Sequence, residues 1–95
     1  MITRLFVLGL LSFQPMSGYA IQHYLHLNRA EQWAGILPGS IHHALKKLVA
    51  QGLIRLQATE QTGYRTKVIY AITPSGIEEF HRLLEQAWST AEPHY

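Results

Sequence analysis

Ser40, His43 and Lys47 stand at i, i+3 and i+7, and His42 and Lys46 stand at i and i+4 beside them. On a helix each set makes one outer line, because residues three and four apart share a face. With Ile41, Leu45 and Leu48 turned inward, the lines supply short hydrogen-bonding groups near the helix start and cations further along. That is the chemistry needed in a DNA major groove, where side chains bond base edges and cations hold phosphates. Further on, Tyr64, Arg65 and Lys67 follow Gly63, placing an aromatic and two cations at a turn that suits a phosphate backbone. A solvated lysine face and an ordinary charged turn are the plainer readings of the two sets. Their agreement favours the polyanion.

The charge distribution supports that choice. The net charge is only +2, but residues 40–70 carry +4, against +1 in residues 1–39 and −3 in residues 71–95. A basic middle followed by an acidic tail points to one surface facing a polyanion.

Other chemistries are poorly supplied. There are six histidines but no cysteine, so disulfides, thiolate zinc sites and cysteine nucleophiles are excluded. His23 and His26 could share a helix face, whereas His42 and His43 are adjacent and point apart. No Asp and no His-Glu-x-x-His spacing accompanies them, so no metal site is expected. Glu78 and Glu79 are neighbours suited to a helix's first turn rather than an acid–base pair. With no Gly-x-Ser-x-Gly elbow and no phosphate-binding glycine loop, neither an enzyme nor a cofactor is expected. No segment approaches the ~18 apolar residues of a membrane span. The apolar run Leu5 to Leu11 is followed by Phe13-Gln14-Pro15-Met16, which is no cleavage site. The cytoplasm is the expected compartment.

The elements that must position these groups follow from punctuation and period. Ninety-five residues make one domain. Residues 2 to 13 are apolar nearly all round, as in a helix buried on several sides, and Gln14-Pro15 ends them. Ser17 can cap a second helix over about 18–27, with Ile21, Tyr24, Leu25 and Asn28 on its stripe. A looser stretch from Asn28 to Leu37 contains Trp33. Pro38 suits the first position of a third helix, and Gly52 with Leu53 its C-terminal stop. Residues 53–58 and 66–72 are rich in strand formers, and polar Thr59 to Arg65 suits the loop of a hairpin. Thr73-Pro74 then opens a fourth helix with Ile77, Phe80, Leu84, Ala87 and Trp88 on one stripe, closed by Pro93.

Three helices followed by a hairpin is the order of a winged helix-turn-helix, whose third helix enters the major groove. The expected fold is thus mainly α (α+β), with three helices, a two-stranded wing and a C-terminal dimerisation helix. Residues 1–74 would form the DNA-binding unit and residues 75–92 the dimerisation element. Ser17, Tyr19, Ser40, His42, His43, Lys46, Lys47, Tyr64, Arg65 and Lys67 form the expected DNA-contacting set. A winged helix used only for docking proteins is the competing function.

Leu8-Gly9-Leu10-Leu11-Ser12 and Pro15-Met16-Ser17-Gly18-Tyr19-Ala20-Ile21 resemble the opening of the PadR-like transcriptional regulators. Pro38-Gly39-Ser40-Ile41 through Ala44-Leu45-Lys46-Lys47-Leu48, with Gly52-Leu53, resembles that family's recognition helix. Lys67, Tyr70-Ala71-Ile72-Thr73 and Gly76 resemble its wing return and the start of its last helix. The family usually carries tyrosine at the position of His42 and often arginine at that of His43, so the operator sequence does not carry over. The resemblance implies a cytoplasmic, dimeric, sequence-specific DNA-binding regulator, in most cases a repressor released by a small aromatic or hydrophobic effector.

The fraction of charged residues, 15%, is low against roughly 25% in an average soluble chain. Hydrophobic residues make up 47%, so some apolar surface needs a cover, most economically a second copy. Phe6, Leu10 and Phe13 of the first helix and Phe80, Leu84 and Trp88 of the last are the expected walls of that homodimer interface or of an effector pocket within it.

Overall fold

The computed structural model describes residues 2–27, 29, 32, 35, 36 and 38–91. Asn28, Trp33, Leu37 and Pro93, which entered the sequence reading, lie outside the described residues. The described elements are α1 (Ile2–Phe13), β1 (Met16–Ser17), α2 (Gly18–Leu27), α3 (Pro38–Ala50), β2 (Ile54–Thr62), β3 (Arg65–Ile72) and α4 (Pro74–Ala91). This is a winged helix-turn-helix, mainly α with a β wing.

One core joins the layers. Val7, Leu8 and Leu11 of α1 meet Ile21 of α2, Ile41, Leu45 and Leu48 of α3, and Ile54 of β2, all essentially removed from water. Each such side chain contributes roughly 1.5–3 kcal/mol of transfer free energy. Helix α4 adds Leu83 to this cluster, with Phe80 packed against it. Leu83 stands outside the stripe read from the sequence. The inner side of α4 runs through Phe80 and Leu83, while Ile77, Leu84, Ala87 and Trp88 face outward.

The helix stops are chemical. Ser17 Oγ accepts from the Ala20 amide at 3.1 Å, capping α2. After α3, Gly52 has φ +73°, its amide donates to Val49 O, and the Leu53 amide donates to Leu48 O, both at 3.0 Å. These are the paired bonds of a Schellman stop, which needs a left-handed residue where only glycine is unstrained. Thr73 Oγ1 accepts from the Gly76 amide at 3.1 Å to cap α4, and donates to Gly52 O at 2.7 Å. The start of α4 is thereby bonded to the end of α3.

The sheet differs from a two-stranded hairpin in two ways. Its order is β1-β3-β2, with Met16 paired to Tyr70 and Ser17 to Ile69. Two residues of strand were too short to leave a period in the sequence, and they form because Met16 is buried beside the wing root. The wing is also longer than expected. Pairing runs from Ile54↔Ile72 to Thr62↔Arg65, with an irregularity between Leu56 and Ala58. Residues 59–62 looked like loop because they are polar. They are strand, because the wing projects into solvent and needs no apolar face there. The loop is only Gly63 and Tyr64, with Gly63 at φ +61°, as a tight two-residue hairpin demands.

Candidate nucleic-acid interface

The buried residues of α3 (Ile41, Ala44, Leu45, Leu48) fix its inner side. At 3.6 residues per turn, His43 and Lys46 then point away from the core, His42 lies on one flank, and Ser40 and Lys47 lie on the other. Each flank borders a concave surface.

The first is a groove of about 530 Å³ between α3 and the wing. It gathers Ser17 from β1, Tyr19 from the start of α2, His42 from α3, and Arg65, Lys67 and Tyr70 from β3. Five of the ten expected DNA-contacting residues therefore converge from four elements. Their positions are enforced locally. The side-chain amide of Gln22 meets His42 Nε2 at 2.8 Å, with the amide nitrogen donating, so α2 steers the imidazole. Tyr19 is 75% exposed, yet its ring stacks on His23 with centroids 6.3 Å apart and planes within 6°. Ser17 is 3% exposed and its oxygen is engaged by the α2 cap, so it sits at the groove floor rather than reaching out. Arg65 and Lys67 are exposed and alternate along β3, so both side chains leave the strand on the same face.

The second concavity, about 400 Å³, lies between α3 and the first turn of α1. It takes Ser40, His43 and Lys47, with Thr3 and Arg4 opposite. The line at i, i+3 and i+7 is thus one unit in space, but it leans toward α1 and away from the wing. Lys46 borders neither concavity, and Tyr64 is fully exposed at the wing tip. Arg4 is engaged, donating to Gln51 Oε1 at 2.7 Å and Glu79 Oε2 at 2.9 Å. Arg82 clasps the same carboxylate at 2.7 and 2.8 Å. The Arg82 bonds, more than the Arg4 bond, hold the Glu79 carboxyl below its ordinary range against the opposing effect of burial. Sequence reasoning missed Gln22, Thr3 and the Arg4 bonds, because partners from different elements leave no spacing to read; the Glu79–Arg82 pair, at i and i+3, was readable and was passed over.

The family model of the transcriptional regulator PadR-like family matches residues 7–82, from within α1 to within α4. The chain belongs to the PadR-like family. The negative transcriptional regulator PadR of Bacillus subtilis is 35% identical over 75 residues, covering 79% of this chain and 41% of that protein. The crystal structure of Bacillus subtilis PadR in complex with operator DNA superposes with a TM-score of 0.77 at 32% identity, over 88% of this chain and 48% of that one. A PadR family transcription regulator from Clostridium difficile shares the fold at 20% identity, with a TM-score of 0.73 over 95% of this chain and 90% of that one. The chain spans about half the length of the Bacillus PadR it matches. Among the described residues no group of three or more His, Asp or Glu is placed to hold a metal ion, and no helix is long and apolar enough to cross a membrane.

The PadR-like chain exposes large apolar side chains on both α1 and α4. Trp88 is 75% exposed and Leu84 43%. Phe13, at the end of α1, is 86% exposed, whereas Phe6 and Leu10 are half-buried against the core.

Proposed function

We propose that this chain is a sequence-specific DNA-binding regulator that reads the major groove with α3 and braces the flanking backbone with its wing. The observation that carries the reading is the convergence of Tyr19, His42, Arg65 and Lys67 on one groove beside α3. His42, His43 and Lys46 are the base-edge readers. Ser40, Lys47, Arg65 and Lys67 hold phosphates, Tyr64 touches the backbone from the wing tip, and Ser17 positions Tyr19. The relation to a PadR solved on operator DNA supports the reading of this chain as DNA-binding. The name of the curated relative, a negative regulator, supports repression. The protein acts by binding in the cytoplasm and catalyses nothing.

The exposed Leu84, Trp88 and Phe13 form a homodimer interface, backed by the half-buried Phe6, Leu10 and Phe80, in which a flat apolar effector stacks on Trp88 and releases the DNA. Residues 1–74 then serve as the reading unit and residues 75–92 as the dimerising one. Such a dimer sets two copies of α3 into major grooves one turn apart, about 34 Å. Selection from a random duplex pool tests the reading. Enrichment of an inverted repeat with half-sites one turn apart is expected. Recovery of no motif, with bound protein and no sequence preference, overturns sequence-specific regulation.

A further inference from the structure

We propose that the cavity between α1 and α3 is a second phosphate seat, taking a backbone phosphate on the DNA strand opposite the one braced by the wing. The proposal rests on the DNA-binding reading and adds a contact surface to it. The cavity is lined by Thr3, Ser40, His43 and Lys47, of which Thr3, Ser40 and Lys47 form the seat. Hydroxyls and an ammonium all donate hydrogen bonds, which is what phosphate oxygens accept. No carboxylate lines the cavity, and among the described residues Lys47 forms no ion pair. Arg4 also lines the wall, with its guanidinium engaged by Gln51 and Glu79.

The placement follows from the shape of a groove. A major groove is about 12 Å wide, so a helix lying in it has a phosphodiester strand on each side. The His42 flank of α3 faces the wing groove. The Ser40–Lys47 flank must then face the other strand, and that flank carries this cavity. Thr3 is fixed there because α1 and α3 share the core through Val7, Leu8, Ile41 and Leu48.

The test measures affinity for a duplex against salt in four proteins: the wild type, Thr3→Glu, Thr3→Val and Arg65→Ala. Thr3→Glu should weaken specific and random duplexes alike by at least about fivefold and lower the salt slope by about one. Thr3→Val, which keeps the shape, should lose about threefold with its slope unchanged. Single methylphosphonate substitutions on the strand opposite the wing should include one position that weakens the wild type and leaves Thr3→Glu unaffected. Wild-type affinity and slope in both Thr3 variants, with Arg65→Ala weakened, would overturn the seat while DNA binding stands. A weakened Thr3→Glu whose difference no neutralised phosphate removes also overturns it. A wild type that binds no duplex overturns seat and parent reading together.

Discussion

Arg4 of α1 and Glu79 of α4 meet at 2.9 Å, and the same guanidinium donates to Gln51 just beyond α3. One side chain therefore joins the first helix, the last helix and the end of the helix assigned to DNA. Glu79 also takes two bonds from Arg82, on its own helix. The carboxyl is held below its ordinary range, so its stabilising contribution is present above the unfolded-state pKa and is lost as pH falls through the folded one. Glu79→Gln should cost roughly 1 kcal/mol at pH 7 and little in acid, once the folded-state carboxyl is protonated. Urea unfolding of both proteins at pH 7 and in acid checks this, and an equal loss at both contradicts it.

Gly76 lets α4 pack closely on Leu53, in the segment after α3. A β-carbon there would overlap the Leu53 carbonyl oxygen and crowd Ile72. Gly76→Ala should destabilise the fold by roughly 1–3 kcal/mol, as overpacking does. At Gly39, in the first turn of α3, an added β-carbon would meet nothing within 4 Å. Gly39→Ala should be neutral or stabilising, because glycine costs a helix roughly 0.5–1 kcal/mol relative to alanine. Thermal melts of the two variants separate these outcomes.

Much of this was legible in the sequence. Pro15, Gly52, Thr73 and Pro74 fixed the helix ends because their backbone chemistry is local. The lines on α3 were readable because helical spacing is periodic. The length of the wing and strand β1 were not, because strand pairing lies between segments and the polar wing has no apolar alternation. The division of the α4 stripe was hidden for the same reason. Leu83 and Leu84 are adjacent and equally apolar, and only packing against α1 decides that Leu83 is 4% exposed and Leu84 43%. Within the site, the i, i+3, i+7 line was right as a line, but its lean toward Thr3 depends on where α1 lies.

The dimer assignment makes Trp88 a test residue. Exposed in the single chain, it contributes little to the fold of one copy. Trp88→Ala should leave the circular dichroism spectrum unchanged and weaken self-association by about 3 kcal/mol or more, typical of a truncated buried aromatic. Sedimentation equilibrium measures this. A wild type that stays monomeric at tens of micromolar contradicts the assignment.

The wing should position the protein without reading sequence. Replacing Arg65 and Lys67 together by Ala should weaken specific and random duplexes by similar factors, since phosphate contacts carry no base information. Fluorescence anisotropy on the two duplexes checks this. A loss confined to one sequence would mean that the wing reads bases.

The salt dependence of duplex affinity, in the wild type and in Lys47→Glu, decides whether α3 grips DNA. Each phosphate neutralised by the protein releases condensed counterions, so affinity falls with salt by a slope of about 0.9 per contact. The account predicts a steep wild-type slope, and a Lys47→Glu protein of intact fold that binds at least ~1 kcal/mol more weakly with the slope reduced by about one or more. A flat wild-type profile, or a folded Lys47→Glu protein with unchanged affinity and slope, would contradict DNA recognition by this helix and leave a protein-docking winged helix in its place.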